Sequence, residues 1–202
     1  QHVFMRFHTF NDAWKQQPRK FRHLFSTSSL LDGNENHRSH WVLGYGDFRR
    51  TGIAYSWQVN RGRTTSSLKT PFGLMMSFDD DKAWVVNRRT YTLSCRAIPK
   101  AGEAHGDLAK GGQESKPIWQ VNAGMRPRAM VKAGGQVILL GMPSSPVASS
   151  SGTGIVRSYS ATTGKLTATI KLPSPPVWDG AAVASGRVFV TTESGGIVCL
   201  GE

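Results

Sequence analysis

Three histidines in one stretch of the sequence carry side chains that can bind a metal ion. His23, His37 and His40 share one segment. The carboxylates of Asp32 and Glu35 lie between them in the chain. Imidazole nitrogens with a carboxylate can hold zinc, copper or iron, but this spacing matches no compact metal motif. Histidines in a long loop also hydrogen-bond to backbone groups. We expect that role here, with a His-bound metal as the alternative.

Other residues with chemical potential have simpler interpretations. The acidic run Asp79-Asp80-Asp81 lies between two predicted strands, where a polar hairpin turn is typical. Calcium needs several oxygen ligands, so three adjacent carboxylates do not by themselves predict a calcium site. The sequence contains no G-x-S-x-G elbow, no phosphate-binding loop and no C-x-x-C motif. It therefore predicts no catalytic residue and favours a protein that is not an enzyme.

The net charge and the cysteine content indicate which classes of partner the chain could bind. The chain carries 25 lysines and arginines against 13 aspartates and glutamates, a net charge of +12. This balance favours an anionic partner. The basic residues are scattered and do not interleave with aromatic residues, so no specific nucleic-acid motif is predicted. No apolar run reaches transmembrane length. Cys95 and Cys199 lie in similar apolar runs, and we expect two small buried residues that do not bond to each other.

A repeat of β-strands must position all these residues. The segments 80–87, 134–141 and 185–192 share one pattern, a tight turn followed by an apolar, β-prone run. They recur about fifty residues apart, a period typical of propeller blades. Further strands flank each segment and give four strands per unit. The fourth strand at 166–172 alternates apolar residues with threonine and lysine, as a half-exposed outer strand does.

The sequence therefore predicts an all-β fold. We expect a partial β-propeller of four-stranded antiparallel blades, about three to four of them, forming a single domain over residues 1–202. The expected blade pieces lie at about 1–10, 71–121, 128–172 and 177–200, with an irregular insertion at about 11–70.

The first and last segments both fall inside this repeat. His2–Phe7 has the pattern of the second strand of a blade, and Trp178–Leu200 ends on a third strand. Open strand edges are avoided in folded proteins. We expect a protein partner, either another chain or a removed part of the precursor, to supply the remaining blades by strand pairing. The edge residues expected to pair are His2, Val3, Phe4, Met5, Ile197, Val198, Cys199 and Leu200.

Several runs resemble the PQQ-like (quinoprotein-like) β-propeller family. Ala161-Thr-Thr-Gly-Lys165 is similar to the A-x-x-G-K turn of its repeats, after which a tryptophan often docks one blade on its neighbour. Trp119 occupies that place in one blade, and the other blade lacks the tryptophan. Pro175-Pro-Val-Trp-Asp-Gly180 resembles the C-terminal part of large bacterial members. The resemblance implies blade-docking roles for Trp119, Gly164 and Lys165.

This resemblance implies a binding or scaffold segment of a larger assembly. Many members are exported, which implies a periplasmic, extracellular or cell-envelope location. The family's enzymes bind PQQ with calcium beneath a vicinal cysteine pair, and this sequence has no such pair, so no cofactor is predicted. Two alternatives stay open. One is a quinoprotein-like oxidoreductase subunit whose cofactor residues lie mostly outside this chain. The other is a metal- or haem-associated electron-transfer subunit that uses the histidines.

Overall fold

Every regular element in the described part of the chain is a β-strand. The computed structural model describes residues 2–5, 8–17, 22–26, 41–45, 71–87, 89–98, 116–144 and 152–201. Across these residues the secondary structure is all β and antiparallel, which confirms the predicted fold class. Within the same residues there is no helix with the length and hydropathy needed to cross a membrane.

The chain divides into two compact units. The first comprises residues 1–74 with 97–116, and the second comprises 75–96 with 117–202. The first unit contains two three-stranded sheets. Their strands are β1 (His2–Met5), β2 (His8–Asn11) and β3 (Gln16–Gln17), and β4 (Arg22–Ser26), β5 (Trp41–Tyr45) and β6 (Phe72–Gly73).

The expected irregular insertion at about 11–70 is therefore not wholly irregular. It contains β3, β4 and β5. The runs His23-Leu-Phe and Trp41-Val-Leu are short and β-prone, and pairing with a neighbouring strand, rather than a long periodic pattern, makes them strands. The expected blade piece 71–121 begins with two short strands, β6 and β7, which belong to different sheets.

The second unit contains three antiparallel sheets with strands in chain order. Sheet I has four strands, β7 (Met75–Phe78), β8 (Lys82–Val86), β9 (Thr92–Ala97) and β10 (Trp119–Asn122). Sheet II also has four, β11 (Met125–Ala133), β12 (Gln136–Pro143), β13 (Gly154–Ser160) and β14 (Leu166–Leu172). Sheet III has β15 (Pro176–Ala184), β16 (Arg187–Thr192) and β17 (Ile197–Leu200). The first strand of sheet II contacts the first strands of both other sheets. This is the arrangement of consecutive propeller blades.

Two-residue turns set the register of the repeat. In the β15–β16 hairpin Ala184 pairs with Arg187, so only Ser185 and Gly186 form the loop. Both have positive φ, 48° and 73°, as a type I′ turn requires. The β11–β12 hairpin has the same loop length, with Ala133 opposite Gln136. These turns are the ones that start the repeated segments in the sequence.

The central part of sheet II is buried on both faces. The central run of β12, from Val137 to Leu140, is buried throughout. A continuous apolar run bounded by turns is the pattern of such a strand. One face forms a core with sheet III, made of Ala129, Ile138, Leu140, Val156, Leu172 and Val190. Burial of each Val, Leu or Ile side chain contributes about 1.5–3 kcal/mol.

Candidate functional site

The sheets of the second unit meet through specific side chains, beginning with Trp119 and Gly164. Trp119 starts β10 of sheet I, and Gly164 lies in the β13–β14 turn of sheet II. The approach is so close that a Cβ on Gly164 would lie 2.5 Å from Trp119 Cε3. The indole Nε1 donates to the Ala161 carbonyl oxygen at 3.1 Å. The structure therefore brings together two of the three residues implicated by the family resemblance. Lys165, the third, is exposed beside them.

A second tryptophan binds the same carbonyl. Trp84 of β8 is almost fully buried, and its Nε1 donates to Ala161 O at 2.9 Å. A carbonyl oxygen has two lone pairs, so both indole N–H groups are satisfied by one acceptor. Lys132 of β11 places its ammonium 4.8 Å from the centroid of the Trp84 ring, which adds a cation–π contact. Sheet I thus contacts the turn of sheet II through two aromatic donors, Trp84, which is buried, and Trp119, which is partly buried.

Side chains of sheet II also bind the segment between the two sheets at Ala123, which lies between β10 and β11. The Ala123 carbonyl accepts hydrogen bonds from Arg157 Nη1 and from the Tyr159 hydroxyl, the latter at 2.9 Å. Arg157 and Tyr159 are two residues apart on β13 and therefore lie on one face. Burial raises the pKa of the Tyr159 hydroxyl, and the hydrogen bond and charge of Arg157 partly oppose this. Sequence analysis missed this pair, although an arginine two residues before a tyrosine within an apolar strand is its signal.

The contact between sheets II and III has a different chemistry. It is mainly aliphatic, with one charged link from Arg128 of β11. Arg128 Nη1 donates to Pro176 O at 2.9 Å and also contacts the carboxylate of Glu193. Because Glu193 is half exposed, this ion pair contributes only about 0.2–1 kcal/mol. The aliphatic core supplies most of the stability at this boundary.

The opposite face of sheet III is exposed and carries three apolar side chains, Phe189, Ile197 and Cys199, beside Thr191, and we call it the open face. Phe189 pairs with Cys199 across it, and Thr191 pairs with Ile197. Phe189 is 36% exposed and Ile197 is 73% exposed. Phe189 follows the β15–β16 turn as Ile138 follows the β11–β12 turn, and Ile138 is only 9% exposed. The same position of the repeat is thus covered in sheet II and open in sheet III.

The predicted metal residues are not brought together by the described part of the structure. His37 and His40 lie outside the described residues. The backbone of His23 belongs to β4, but its side chain is not among the described ones. Among the described residues there is no group of histidine, cysteine and acidic side chains suited to a metal ion. The His-bound metal stays a prediction.

The predicted edge residues occupy two strands. His2, Val3, Phe4 and Met5 form β1, an outer strand of its sheet, and their side chains lie outside the described residues. The other four form β17, the outer strand of sheet III. There Val198 and Leu200 pack against the sheet II–III core, while Ile197 and Cys199 point to the open face.

Two expectations about buried residues need correction. Cys95 is buried as expected, but Cys199 is exposed, because β17 has no sheet over its outer face among the described residues. Trp14, between β2 and β3, and Trp178, on β15, are exposed by 66% and 61%, whereas tryptophan side chains are expected in the core or at docked blades. Trp178 lies where β15 shifts register before Ala181, and this bulge turns it away from the core.

The acidic run forms the polar hairpin turn that the sequence predicts. Asp79 Oδ1 accepts the backbone N–H groups of Asp81 and Lys82 at 3.0 and 2.8 Å. Partial desolvation raises the pKa of the Asp79 carboxyl, but these two N–H donors together with the charges of Lys132 and Lys82 outweigh it and bring the pKa below its usual 3.8. The carboxylate therefore stabilises the turn between β7 and β8.

Comparisons with known proteins give likenesses in fold alone. No protein-family model matches the chain, and no curated protein matches it. The crystal structure of BamB from Moraxella catarrhalis is similar at 18% identity and a TM-score of 0.42, over 63% of this chain. The match covers 31% of that chain, so this protein spans about a third of its length. The crystal structure of the computationally designed Ika4 protein is similar at 10% identity and a TM-score of 0.43, over 81% of this chain and 79% of that one.

Proposed function

We propose that this chain is a non-catalytic segment of a PQQ-like β-propeller that binds a protein partner within a larger assembly. The observation that carries the proposal is the open face of sheet III. Phe189, Ile197 and Cys199 are exposed there together. Soluble proteins rarely leave contiguous apolar surface uncovered unless it serves as an interaction site.

The repeat supports a sheet as the partner on this face. Sheets I and II, and II and III, are in contact through their faces, and each covered face contributes apolar side chains. A further sheet on the open face would bury Ile197, which is 73% exposed and would gain most of the about 1.5–3 kcal/mol of a full burial. Phe189 is 36% exposed and would gain roughly a third of that value. Another chain or another part of the precursor would supply that sheet.

Three further observations support parts of this proposal. The contact of Trp119 with Gly164 supports blade-docking roles for these residues, with Lys165 at the rim of the same turn. The net charge of +12 supports a partner with acidic surface. The resemblance to exported quinoprotein-like proteins supports a periplasmic, extracellular or cell-envelope location.

Native mass spectrometry of the protein purified with its partners, followed by denaturation, tests the proposal. We expect a second polypeptide in the particle. Phe189→Asp should remove it, because a carboxylate on the open face would be desolvated by the docked sheet. Ile118→Asp is the matched control, since Ile118 is an exposed apolar residue of sheet I that is 53% exposed. A wild-type particle without a second polypeptide, or equal loss in both variants, would contradict the proposal.

A further inference from the structure

The hairpin between β2 and β3 carries a tryptophan at its tip. Asn11 and Lys15 close this hairpin, because Asn11 N donates to Lys15 O at 3.0 Å. The loop between them therefore has three residues, 12 to 14, and ends with Trp14. The Trp14 side chain is 66% exposed, and Lys15 beside it is exposed as well. The tip thus presents an indole next to an ammonium group.

Trp14 occupies a backbone position that usually belongs to glycine. Its φ is 56°. The last residue of a three-residue hairpin loop adopts this left-handed conformation, and glycine is preferred there because it has no Cβ. Asn11 Oδ1 accepts the N–H groups of Ala13 and Lys15 at 3.1 and 2.9 Å. Trp14 N donates to Asn11 O at 3.0 Å. These bonds hold a bulky residue in an unfavourable conformation at an exposed tip, which indicates a role for its side chain.

The sequence around this tip is basic. Residues 11–22 contain one acidic residue, Asp12, and four cationic residues, Lys15, Arg19, Lys20 and Arg22. The whole chain carries a net charge of +12. Lysine and arginine are attracted to anionic lipid headgroups. Tryptophan is enriched at the boundary between membrane and water, because its ring is apolar and its N–H group can stay hydrated.

We infer that the β2–β3 tip is a docking site for an anionic lipid surface. The Trp14 indole inserts at the level of the headgroups, and Lys15 interacts with the lipid phosphates. A pocket in a protein also accepts an indole, but the excess of cations in this segment favours a surface that carries many negative charges. This inference goes beyond the proposed function, because the tip belongs to the first unit and the open face belongs to the second.

Vesicle sedimentation tests this site on the whole chain. The probes are vesicles of phosphatidylcholine alone and vesicles of phosphatidylcholine and phosphatidylglycerol in equal amounts. We expect the protein to sediment with the mixed vesicles, and added salt should weaken this binding because it screens the charges. Absence of binding to the mixed vesicles, or equal binding to both kinds, would overturn the inference.

Two tryptophans of similar exposure provide a matched pair of variants. Trp14→Ala should weaken binding to the mixed vesicles about tenfold, the fold-change expected when one buried apolar side chain is lost. Trp178 is 61% exposed but lies on β15, away from this hairpin in the sequence. Trp178→Ala should therefore change binding by less than about twofold. Equal loss in both variants would show that exposed indoles in general, and not the tip, govern binding.

A further variant separates binding from folding. Trp14→Gly suits the left-handed backbone, so its urea midpoint should lie at or above that of the wild type while vesicle binding falls as in Trp14→Ala. A lower midpoint would show that the indole supports the fold, which contradicts a binding role. Trp14→Phe keeps an apolar ring and should still bind. Quenching of tryptophan fluorescence by brominated lipid should be lost in this variant and retained in Trp178→Ala.

The outcomes also separate this inference from the proposed function. Phe189→Asp should leave vesicle binding unchanged, and Trp14→Ala should leave the second polypeptide in the native particle. If no particle contains a second polypeptide but the vesicles respond as expected, the lipid site stands and the proposed assembly fails. If Trp14→Ala releases the second polypeptide and leaves vesicle binding unchanged, a protein pocket takes the indole and the lipid site is wrong.

Discussion

Replacement of Gly164 by alanine measures how much the contact between Trp119 and the β13–β14 turn stabilises the second unit. The new Cβ would lie 2.5, 2.8 and 3.0 Å from the Trp119 ring atoms Cε3, Cδ2 and Cζ3. Real carbon–carbon contacts are much longer, so the ring must move. Movement of the ring would lengthen or break the hydrogen bond from its Nε1 to Ala161 O, which is 3.1 Å long.

The expected loss of unfolding free energy is the sum of three contributions. Gly164 has a φ of +72°, and a left-handed conformation costs a residue with a Cβ about 1–2 kcal/mol. Displacement of a packed ring costs about 1 kcal/mol or more. Loss of one neutral hydrogen bond costs about 0.5–1.5 kcal/mol. We therefore expect Gly164→Ala to reduce the free energy of unfolding by about 3–4 kcal/mol.

Gly186 provides a matched control for the cost of the left-handed backbone conformation. Gly186 has almost the same φ, +73°, and a Cβ there would meet nothing within 4 Å. Gly186→Ala should cost only the left-handed penalty of about 1–2 kcal/mol. A second control removes the ring, because in a Trp119→Ala background Gly164→Ala should fall to the cost of Gly186→Ala.

Urea denaturation followed by circular dichroism gives these free energies, provided that the transitions share one slope. The decisive quantity is the difference between Gly164→Ala and Gly186→Ala, expected at about 2 kcal/mol from the second and third parts. If the two variants lose the same stability, the ring contact contributes nothing and the reasoning from Trp119 is refuted.

Three further predictions concern titration and reactivity. The folded-state pKa of Asp79 is lowered, so its contribution to stability is present above pH 3.8 and is lost as pH falls through the folded pKa. Asp79→Asn should therefore reduce the loss of unfolding free energy on acidification, measured by urea denaturation at several pH values. Burial raises the pKa of Tyr159, so stability should fall as pH rises past its ordinary value of 10.0, and Tyr159→Phe should reduce that alkaline loss. Cys199 is exposed, while Cys95 is buried and burial raises the pKa of its thiol. Mass spectrometry after brief alkylation should therefore find the label on Cys199. Equal labelling of both cysteines would contradict the place of Cys199 on the open face.

Much of the second unit follows from local sequence signals. Two-residue turns at 134–135 and 185–186 fix the hairpins, and the apolar runs after them become strands buried on at least one face. These signals act over a few residues, so a single sequence is enough to read them. The strands β4 and β5 were outside the predicted blades because each is only five residues long and gains its partner from a distant segment.

Side-chain contacts between sheets were harder to predict from the sequence. The resemblance to PQQ-like repeats points to Trp119 and Gly164, which the structure places in contact. It gives no sign that Trp84 binds the same carbonyl, or that Arg157 and Tyr159 share Ala123 O. Such pairs depend on how two sheets meet, and hydrophobic periodicity describes only one sheet at a time.

A comparison within the molecule explains why the apolar side chains of Ala168 and Ile170 on β14 are exposed. β10 and β14 are the outer strands of sheets I and II. Trp119 of β10 is partly covered, because the turn before β14 packs on it, and Val121 is partly covered too. Ala168 and Ile170 of β14 are exposed, and sheet III has no fourth strand among the described residues to cover them. The two outer strands share an apolar pattern and differ in whether the next sheet has its outer strand. Exposure of Ile170 thus reflects the number of strands in the neighbouring sheet, and not a polar surface on β14.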